Sequence, residues 1–235
     1  MSLDMAETAT GPVRRVRAIP IHDEHEVRRF DWIVQNAAYV TKTSGGRVGY
    51  LHLRDFSANG TEDLMRQWNA QSGKEGLIID IRASEGGFTS QWVLDLLLRR
   101  HAGQFLNRQG AREDLPAGRG PQKLVVITNE FSASDGDQFP YYFRKYGLGR
   151  VVGERTWGGV RGIQGRLLLV DGTTVTVPKD SLVDADAGFV LENRGASPDV
   201  EVRDRPLGAT GGVDEQLREA VNMLISGRSP ESNAM

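Results

Sequence analysis

In the segment "LVVITNEFSASDGDQF" (residues 124–139), an apolar run passes directly into a polar stretch that can open a helix, and this order is the main indication of the fold. The run at 122–130 predicts a buried strand. A second segment, "GLIIDIRASEGGF" (76–88), repeats the pattern of a short apolar strand that ends in a polar, Gly-rich turn. Strands that alternate with helices in this way favour an α/β fold with largely parallel pairing.

The residues after the strand at 122–130 predict a helix that Gly147 or Gly149 closes. Pro140 is then expected in the first turn of this helix, where the missing N–H costs little. Ser134 and Asp135 lie close to the predicted start of the helix. They could cap the helix in the ordinary way, or Ser134 could be a nucleophile placed on a strand-to-helix turn.

Other segments complete the predicted architecture. Apolar residues near helical spacing predict helices at 23–44 and 214–227. Asp171 and Gly172 lie between two alternating runs and predict an antiparallel hairpin with a two-residue turn. Residues 106–121 form the longest stretch without a periodic pattern and are expected to be a mobile surface loop.

Most of the chain, residues 13–228, is expected to form one domain that begins with the N-terminal helix. Residues 1–12 lack an apolar core and are interpreted as an artificial junction or an unstructured tail. The polar residues 229–235 are expected to be a second unstructured tail.

Composition excludes several classes of site. The chain has no cysteine, so it has no disulfide, no thiolate metal ligand and no Cys nucleophile. The net charge of -2 argues against nucleic acid as a partner, and no apolar run is long enough for a membrane span. Neither a zinc-protease motif nor a phosphate-binding loop is present, and we expect no metal and no cofactor.

The two polar strand ends carry the candidate chemistry. If their strands are parallel neighbours, both turns lie at the carboxyl edge of the sheet, where sites in α/β folds usually form. Gly86 and Gly87 then offer backbone N–H groups beside Ser134. A hydroxyl nucleophile near amide donors is what acyl transfer requires. The alternative is a purely structural role, in which a capped helix lies beside an ordinary Gly-Gly turn.

Six blocks, in order along residues 45–203, resemble the tail-specific (C-terminal processing) serine protease family, and within it the tricorn branch. They are "GYLHLRDF", "EGLIIDIRASEGGF", "VVITNEFSASDGDQF", "GLGRVVGERTWGGVRGI", "LVDGTTVTVP" and "DAGFVLENRGASPDVEV". The resemblance implies a crotonase-like spiral of ββα units with the added antiparallel hairpin. It also implies a serine peptidase that acts on peptides or unfolded proteins and can form homo-oligomers.

By position in these blocks, Ser134 matches the family nucleophile. The backbone N–H groups of Asp135 and Gly87 match the oxyanion hole. Glu192 matches the acidic residue that orients the general base in the tricorn branch, and Gly86 is expected to line the substrate site.

The general base has no match in this sequence. The main branch of the family uses a lysine, but the corresponding segment here is "TWGGVRG", and Arg161 within it does not lose its proton. The tricorn branch uses a histidine preceded by a serine, in a region upstream of the part that this chain matches. We therefore expect the nucleophile half of a divided active site, and at most feeble activity in isolation.

The position that binds basic side chains in the tricorn branch corresponds by spacing to Phe105. An apolar residue cannot pair with Lys or Arg, so an apolar or aromatic preference is expected at this subsite, although Asp95, Glu113 or Asp114 could supply a charge instead. Two other functions stay open at this point: a non-catalytic module that binds a ligand or peptide, and an enzyme acting on acyl thioesters. The compartment also stays open; the resemblance favours the cytoplasm, and the periplasm would require a signal peptide.

Overall fold

The computed structural model describes residues 1–71, 73–118, 120–203, 205, 212 and 214–226. Its α-helices are α1 (His25–Ser44), α2 (Ala58–Trp68), α3 (Ser90–Leu97), α4 (Asp135–Lys145) and α5 (Glu215–Ile225). Its strands are β1 (Ser2–Met5), β2 (Arg14–Arg17), β3 (Val48–His52), β4 (Gly76–Asp80), β5 (Gly103–Leu106), β6 (Arg112–Leu115), β7 (Lys123–Thr128), β8 (Gly149–Gly153), β9 (Gly162–Leu168), β10 (Thr174–Asp180) and β11 (Val200–Glu201).

The chain divides into two compact units, Met1–Gln35 and Asn36–Met235. In the first unit, β1 and β2 form an antiparallel pair, and the unit includes the first half of α1. Part of the segment expected to be an unstructured tail is therefore a strand. The single domain at 13–228 stays a prediction, and the predicted tail at 229–235 lies outside the described residues.

A five-stranded parallel sheet in the order β11-β8-β7-β4-β3 forms the centre of the second unit. Its inner strands are short apolar runs buried along their length, as is typical of a sheet covered on both faces. The expected α/β fold is thereby confirmed. The two strands that carry the candidate site, β4 and β7, are parallel neighbours with Asp80 opposite Ile127, so the condition for their two turns to share one edge is met.

Helices cover the sheet because side chains alternate between its faces. On β4, Leu77 and Ile79 join a core cluster with Leu64 of α2, Val93 of α3 and Phe139 of α4. The residues between them point to the opposite face, and α5 packs against β4, β7 and β8. No helix in the described part of the chain is both long enough and apolar enough to cross a bilayer.

The predicted antiparallel hairpin is confirmed as β9 paired with β10. Its loop differs from a two-residue turn. The N–H of Gly172 donates to the Leu169 carbonyl at 3.0 Å, and the N–H of Leu169 donates to the Thr173 carbonyl at 2.8 Å. Gly172 has φ +85°. This is a three-residue loop with glycine at the left-handed position, because the residue before Gly172 keeps negative φ.

Two local predictions are wrong. Residues 106–121 are not a structureless loop, since β5 and β6 form an antiparallel hairpin with Leu106 opposite Arg112. Pro140 lies inside α4 rather than in its first turn, because the helix already begins at Asp135. The tight turn that precedes the helix fixes this early start.

Candidate active site

Ser134 occupies a strained turn between β7 and α4. Its backbone has φ +57° and ψ -115°, and the N–H of Gly136 donates to the Ala133 carbonyl at 2.7 Å across the turn. These angles match the second position of a type II′ turn, which glycine normally fills. A non-glycine residue held there costs about 1–3 kcal/mol, and such strain concentrates at functional sites.

The hydroxyl of Ser134 does not cap α4. The side chain is half-buried, and no hydrogen bond among the described residues uses its hydroxyl oxygen. Ser132 contrasts with it, because that side chain is fully buried and donates to the Ile81 carbonyl at 2.9 Å. Of the two serines in this segment, Ser132 is structural and Ser134 is available to react. The capping alternative finds no support here.

Two glycines bring the turn after β4 against Ser134. A Cβ atom placed on Gly86 would lie 2.5 Å from the Ser134 Cβ and 2.7 Å from the Ala133 carbonyl oxygen. One placed on Gly87 would lie 2.1 Å from the Phe56 carbonyl oxygen, and Gly87 has φ +149°. Glycine is therefore required at both positions, and the two strand ends meet as predicted.

Two backbone amides are available next to Ser134. Within the described part of the chain, neither the Asp135 N–H nor the Gly87 N–H donates a hydrogen bond. The Asp135 nitrogen lies 3.1 Å from the Cβ position of Gly86, so both loops contribute to one small region. The Asp135 amide also lies at the first turn of α4, where the helix dipole favours negative charge.

The carboxylate of Asp135 joins two helices. Its Oδ2 accepts from the N–H of Ser90 at 2.9 Å and so caps α3, whose own N-cap residue, Thr89, makes no side-chain cap. Burial raises the pKa of Asp135. The sequence indicated only the amide of this residue, because a cap supplied from 45 positions away leaves no local signal.

Asp137 is the acidic residue that sequence analysis missed. It is fully buried, and its Oδ1 accepts from the Thr156 hydroxyl at 2.5 Å and from the Gly158 N–H at 2.7 Å. Its spacing of three residues from Ser134 places both on neighbouring positions of the helix start. That spacing in "SDGD" was the signal available in the sequence.

Glu192 faces the segment that follows β8. Its Oε2 accepts from the N–H groups of Val160 at 2.9 Å and Arg161 at 3.1 Å. The Arg161 guanidinium lies 3.7 Å from Oε1. Because the start of this segment is hydrogen-bonded to Asp137, Glu192 is linked to the helix that Ser134 opens.

Phe105 lies on the β5–β6 hairpin, opposite Glu113, with 63% of its surface exposed. That hairpin is a separate two-stranded sheet from the parallel sheet whose edge carries Ser134. No described hydrogen bond or ring contact joins Phe105 to Ser134. Its place in the substrate site stays a prediction.

The four histidines have hydrogen-bond partners or surroundings that do not include Ser134. His52 is buried, with its Nε2 3.2 Å from the Arg82 carbonyl oxygen. The Nε2 of His101 lies 3.5 Å from a carboxylate oxygen of Asp114. His22 and His25 are exposed and belong to the first compact unit. No hydrogen bond among the described residues joins any of the four to Ser134.

A strained serine beside two available amides is the arrangement of an acyl-transfer site, and comparison with known proteins agrees. The model of "Peptidase family S41" matches residues 47–202, most of the second compact unit. This chain belongs to peptidase family S41. The predicted membership of a peptidase family is thus confirmed.

Within the S41 peptidases, the tricorn branch is similar over nearly the whole chain. Tricorn protease homolog 1 of Streptomyces coelicolor is 41% identical over 228 residues, 96% of this chain and 21% of that protein. Tricorn protease of Thermoplasma acidophilum is 38% identical over 205 residues, 87% of this chain and 19% of that protein. The crystal structure of the tricorn protease matches with a TM-score of 0.85 and 37% identity, over 93% of this chain and 21% of that one.

The predicted resemblance to the tricorn branch is therefore confirmed, and the α/β fold with its parallel and antiparallel sheets matches that of a solved S41 peptidase. This chain spans about a fifth of the length of these relatives.

Proposed function

We propose that this chain is the nucleophile-bearing domain of a tricorn-like serine peptidase. The observation that carries the proposal is the strained turn at Ser134. Among the described residues, neither its hydroxyl nor the neighbouring N–H groups of Asp135 and Gly87 make a hydrogen bond. A peptide carbonyl placed at this turn would have its carbon near the hydroxyl oxygen and its oxygen near the two amides.

The chemistry follows from this arrangement. Ser134 Oγ forms a bond to the carbonyl carbon while its proton passes to a general base, and the carbonyl oxygen becomes an oxyanion held by Gly87 and Asp135. The C–N bond then breaks, and the leaving amine takes the proton back from the base. Water then forms a bond to the acyl carbon while the same base takes its proton. The bond from that carbon to Ser134 Oγ breaks, and Oγ takes the proton from the base as the acyl group leaves as a carboxylic acid.

The base is proposed to come from outside these 235 residues, through another segment or another subunit. The support is that neither His52 nor His101 is hydrogen-bonded to Ser134 among the described residues, and that a guanidinium such as that of Arg161 keeps its proton. Glu192 orients the base in this proposal. Its carboxylate is already fixed by two amides, which leaves Oε1 facing only the Arg161 guanidinium among the described contacts.

Finer features of the proposal rest on the resemblance. The fold is proposed to be the crotonase-like spiral, which the helices α2, α3 and α4 between successive parallel strands support. The substrate is proposed to be a peptide or unfolded protein, with Gly86 lining its site and Phe105 favouring an apolar side chain. Self-association into a homo-oligomer is part of the same proposal.

Labelling with a fluorophosphonate probe tests this function, because such probes react only with an activated serine. The chain itself is compared with a longer version that begins upstream, each with Ser134→Ala. Ser181→Ala, which changes an exposed serine on another loop, is the matched control. We expect labelling at Ser134 in the longer version only, and no effect of the control.

Strong labelling of the 235-residue chain at Ser134 would instead place the base within it, and His52 and His101 would then be replaced in turn. A longer version that binds peptides yet labels nowhere would overturn the proposal in favour of a non-catalytic binding module.

A further inference from the structure

Asp137 binds one segment with both carboxylate oxygens. Besides the Thr156 hydroxyl and the Gly158 N–H at Oδ1, the N–H of Gly159 donates to Oδ2 at 3.2 Å. These three donors come from residues 156–159, which follow β8, and the carboxylate also accepts from the backbone N–H of Ser134 at the start of α4. The carboxylate thus acts as a clamp on this segment from the first turn of α4.

The same segment is fixed at further points. The N–H of Trp157 donates to the Ser132 carbonyl at 2.9 Å, two residues before Ser134. The Thr156 hydroxyl also accepts from the N–H of Ala196 at 2.8 Å. The segment is therefore held between the turn that carries Ser134 and the loop that follows Glu192.

Glu192 binds the far end of the segment. While Asp137 accepts from residues 156–159, Glu192 accepts from the N–H groups of Val160 and Arg161. The N–H of Asn193 donates to the Gly158 carbonyl at 2.7 Å. One segment of six residues, 156–161, therefore connects the two carboxylates.

A helix-capping role through the Ser134 N–H does not by itself require a fully buried acid. No cationic side chain among the described residues pairs with Asp137, and burial raises its pKa against the lowering effect of its hydrogen bonds. A buried carboxylate without a counter-charge is costly, whereas water or a neutral side chain could satisfy the same N–H groups at less expense. A requirement to hold the segment 156–161 in one position accounts for the buried carboxylate of Asp137 better.

We propose that Asp137 is a positioning residue, which holds the segment 156–161 against α4 and so sets the Glu192 carboxylate relative to Ser134. This inference rests on the proposed function, in which Glu192 orients the base. A displacement of about 1 Å in such a group lowers the rate by about a hundredfold. Loss of the clamp acts mainly on kcat, since Asp137 is buried and does not reach the substrate.

A double-mutant cycle in a version with Ser134-dependent hydrolysis tests the catalytic consequence. Asp137→Asn and Glu192→Gln are each expected to lower kcat about tenfold or more. The kcat of the double variant is expected to be no lower than that of the less active single variant. Effects on kcat that multiply would overturn the inference. So would a loss of thermal stability in Asp137→Asn with kcat unchanged.

Conservative replacement at Thr156 separates positioning from general packing. Thr156→Ser keeps the hydroxyl that donates to Asp137 and is expected to retain kcat within about threefold. Thr156→Val removes the hydroxyl and is expected to lower kcat about tenfold. Asp186→Asn, at an exposed carboxylate paired with Lys145, is the control and leaves kcat unchanged. Equal effects of Ser and Val at position 156 would contradict the clamp.

Amide hydrogen exchange tests the clamp without catalysis, in the 235-residue chain. Asp137→Asn is expected to speed exchange at Val160 and Arg161 about tenfold or more, although Asp137 bonds neither amide. Unchanged exchange there would overturn the inference even if the peptidase is active. If Ser134→Ala leaves hydrolysis intact, the proposed function fails by itself, and the exchange result still decides whether Asp137 holds the segment.

Discussion

Asp80 and Asp137 are both fully buried aspartates near the same edge of the sheet, but their pKa values are shifted in opposite directions. Burial would raise the pKa of Asp80, but the Arg82 guanidinium, at 2.6–3.1 Å, leaves that pKa below its usual value. Asp137 has only neutral donors, and burial raises its pKa. Depth alone therefore does not predict the charge state of a buried acid, because the nearest charge decides it.

The Asp80 cluster connects the sheet to α5. Arg82 Nη1 donates to Asp214 at 2.9 Å and to Gln216 at 3.2 Å, and the Tyr50 hydroxyl donates to Asp80 at 2.9 Å. Arg82 has its pKa raised by Asp80 and Asp214 despite its burial. Arg82 therefore lies between two carboxylates, Asp80 and Asp214, and supplies a counter-charge to both. The comparison suggests that Asp80 serves the fold, whereas Asp137 serves the arrangement of the site.

Replacing Arg82 with Met is expected to have the largest effect, because it leaves the buried Asp80 carboxylate without the guanidinium that pairs with it. Breaking a buried ion pair from one side costs about 3–5 kcal/mol of the free energy of unfolding. Urea unfolding followed by circular dichroism measures the loss. Arg218→Met, at a half-exposed arginine on α5, is the control and should cost little. A loss below about 1 kcal/mol for Arg82→Met would break the comparison.

Matched Asp→Asn substitutions test the two sites against each other. Asp80→Asn should cost about 2–4 kcal/mol of stability, since Arg82 then loses the buried carboxylate with which it pairs. Asp137→Asn should cost less than about 1 kcal/mol, because it also removes an unpaired buried charge. Chemical unfolding at neutral pH gives both values. The comparison fails if the two substitutions cost the same.

The pH dependence of stability should have opposite signs at the two sites, and this is the smallest expected effect. The lowered pKa of Asp80 gives stability that is present above the unfolded value of about 3.9 and lost as pH falls through the folded pKa. The raised pKa of Asp137 gives stability that is present below about 3.9 and lost as pH rises through the folded pKa.

Urea unfolding between about pH 3 and pH 7 measures both slopes. Relative to the unchanged chain, Asp137→Asn should gain in stability as pH rises, and Asp80→Asn should lose. Parallel curves for the two variants would show that the local charges do not set these pKa values.

The sequence was a good guide to what depends on local pattern. The apolar runs at β4 and β7 predicted buried strands with largely parallel pairing, and the hairpin was expected from Asp171 and Gly172. The order of the six blocks led to the S41 family, because several matches in register are far more specific than one. Two predictions were wrong: α4 begins at Asp135, earlier than expected, which puts Pro140 inside the helix, and the strands of the β5–β6 hairpin are mostly exposed and so lack an apolar pattern.

The fold class and the family could be read from the sequence, because periodicity and short motifs extend over a few residues. The backbone angles of Ser134 could not, because a strained turn and an ordinary helix cap use the same residue types. The contact of Gly86 with Ser134 and the partners of Asp137 join residues far apart in the chain, so they became visible only once the chain was folded and packed.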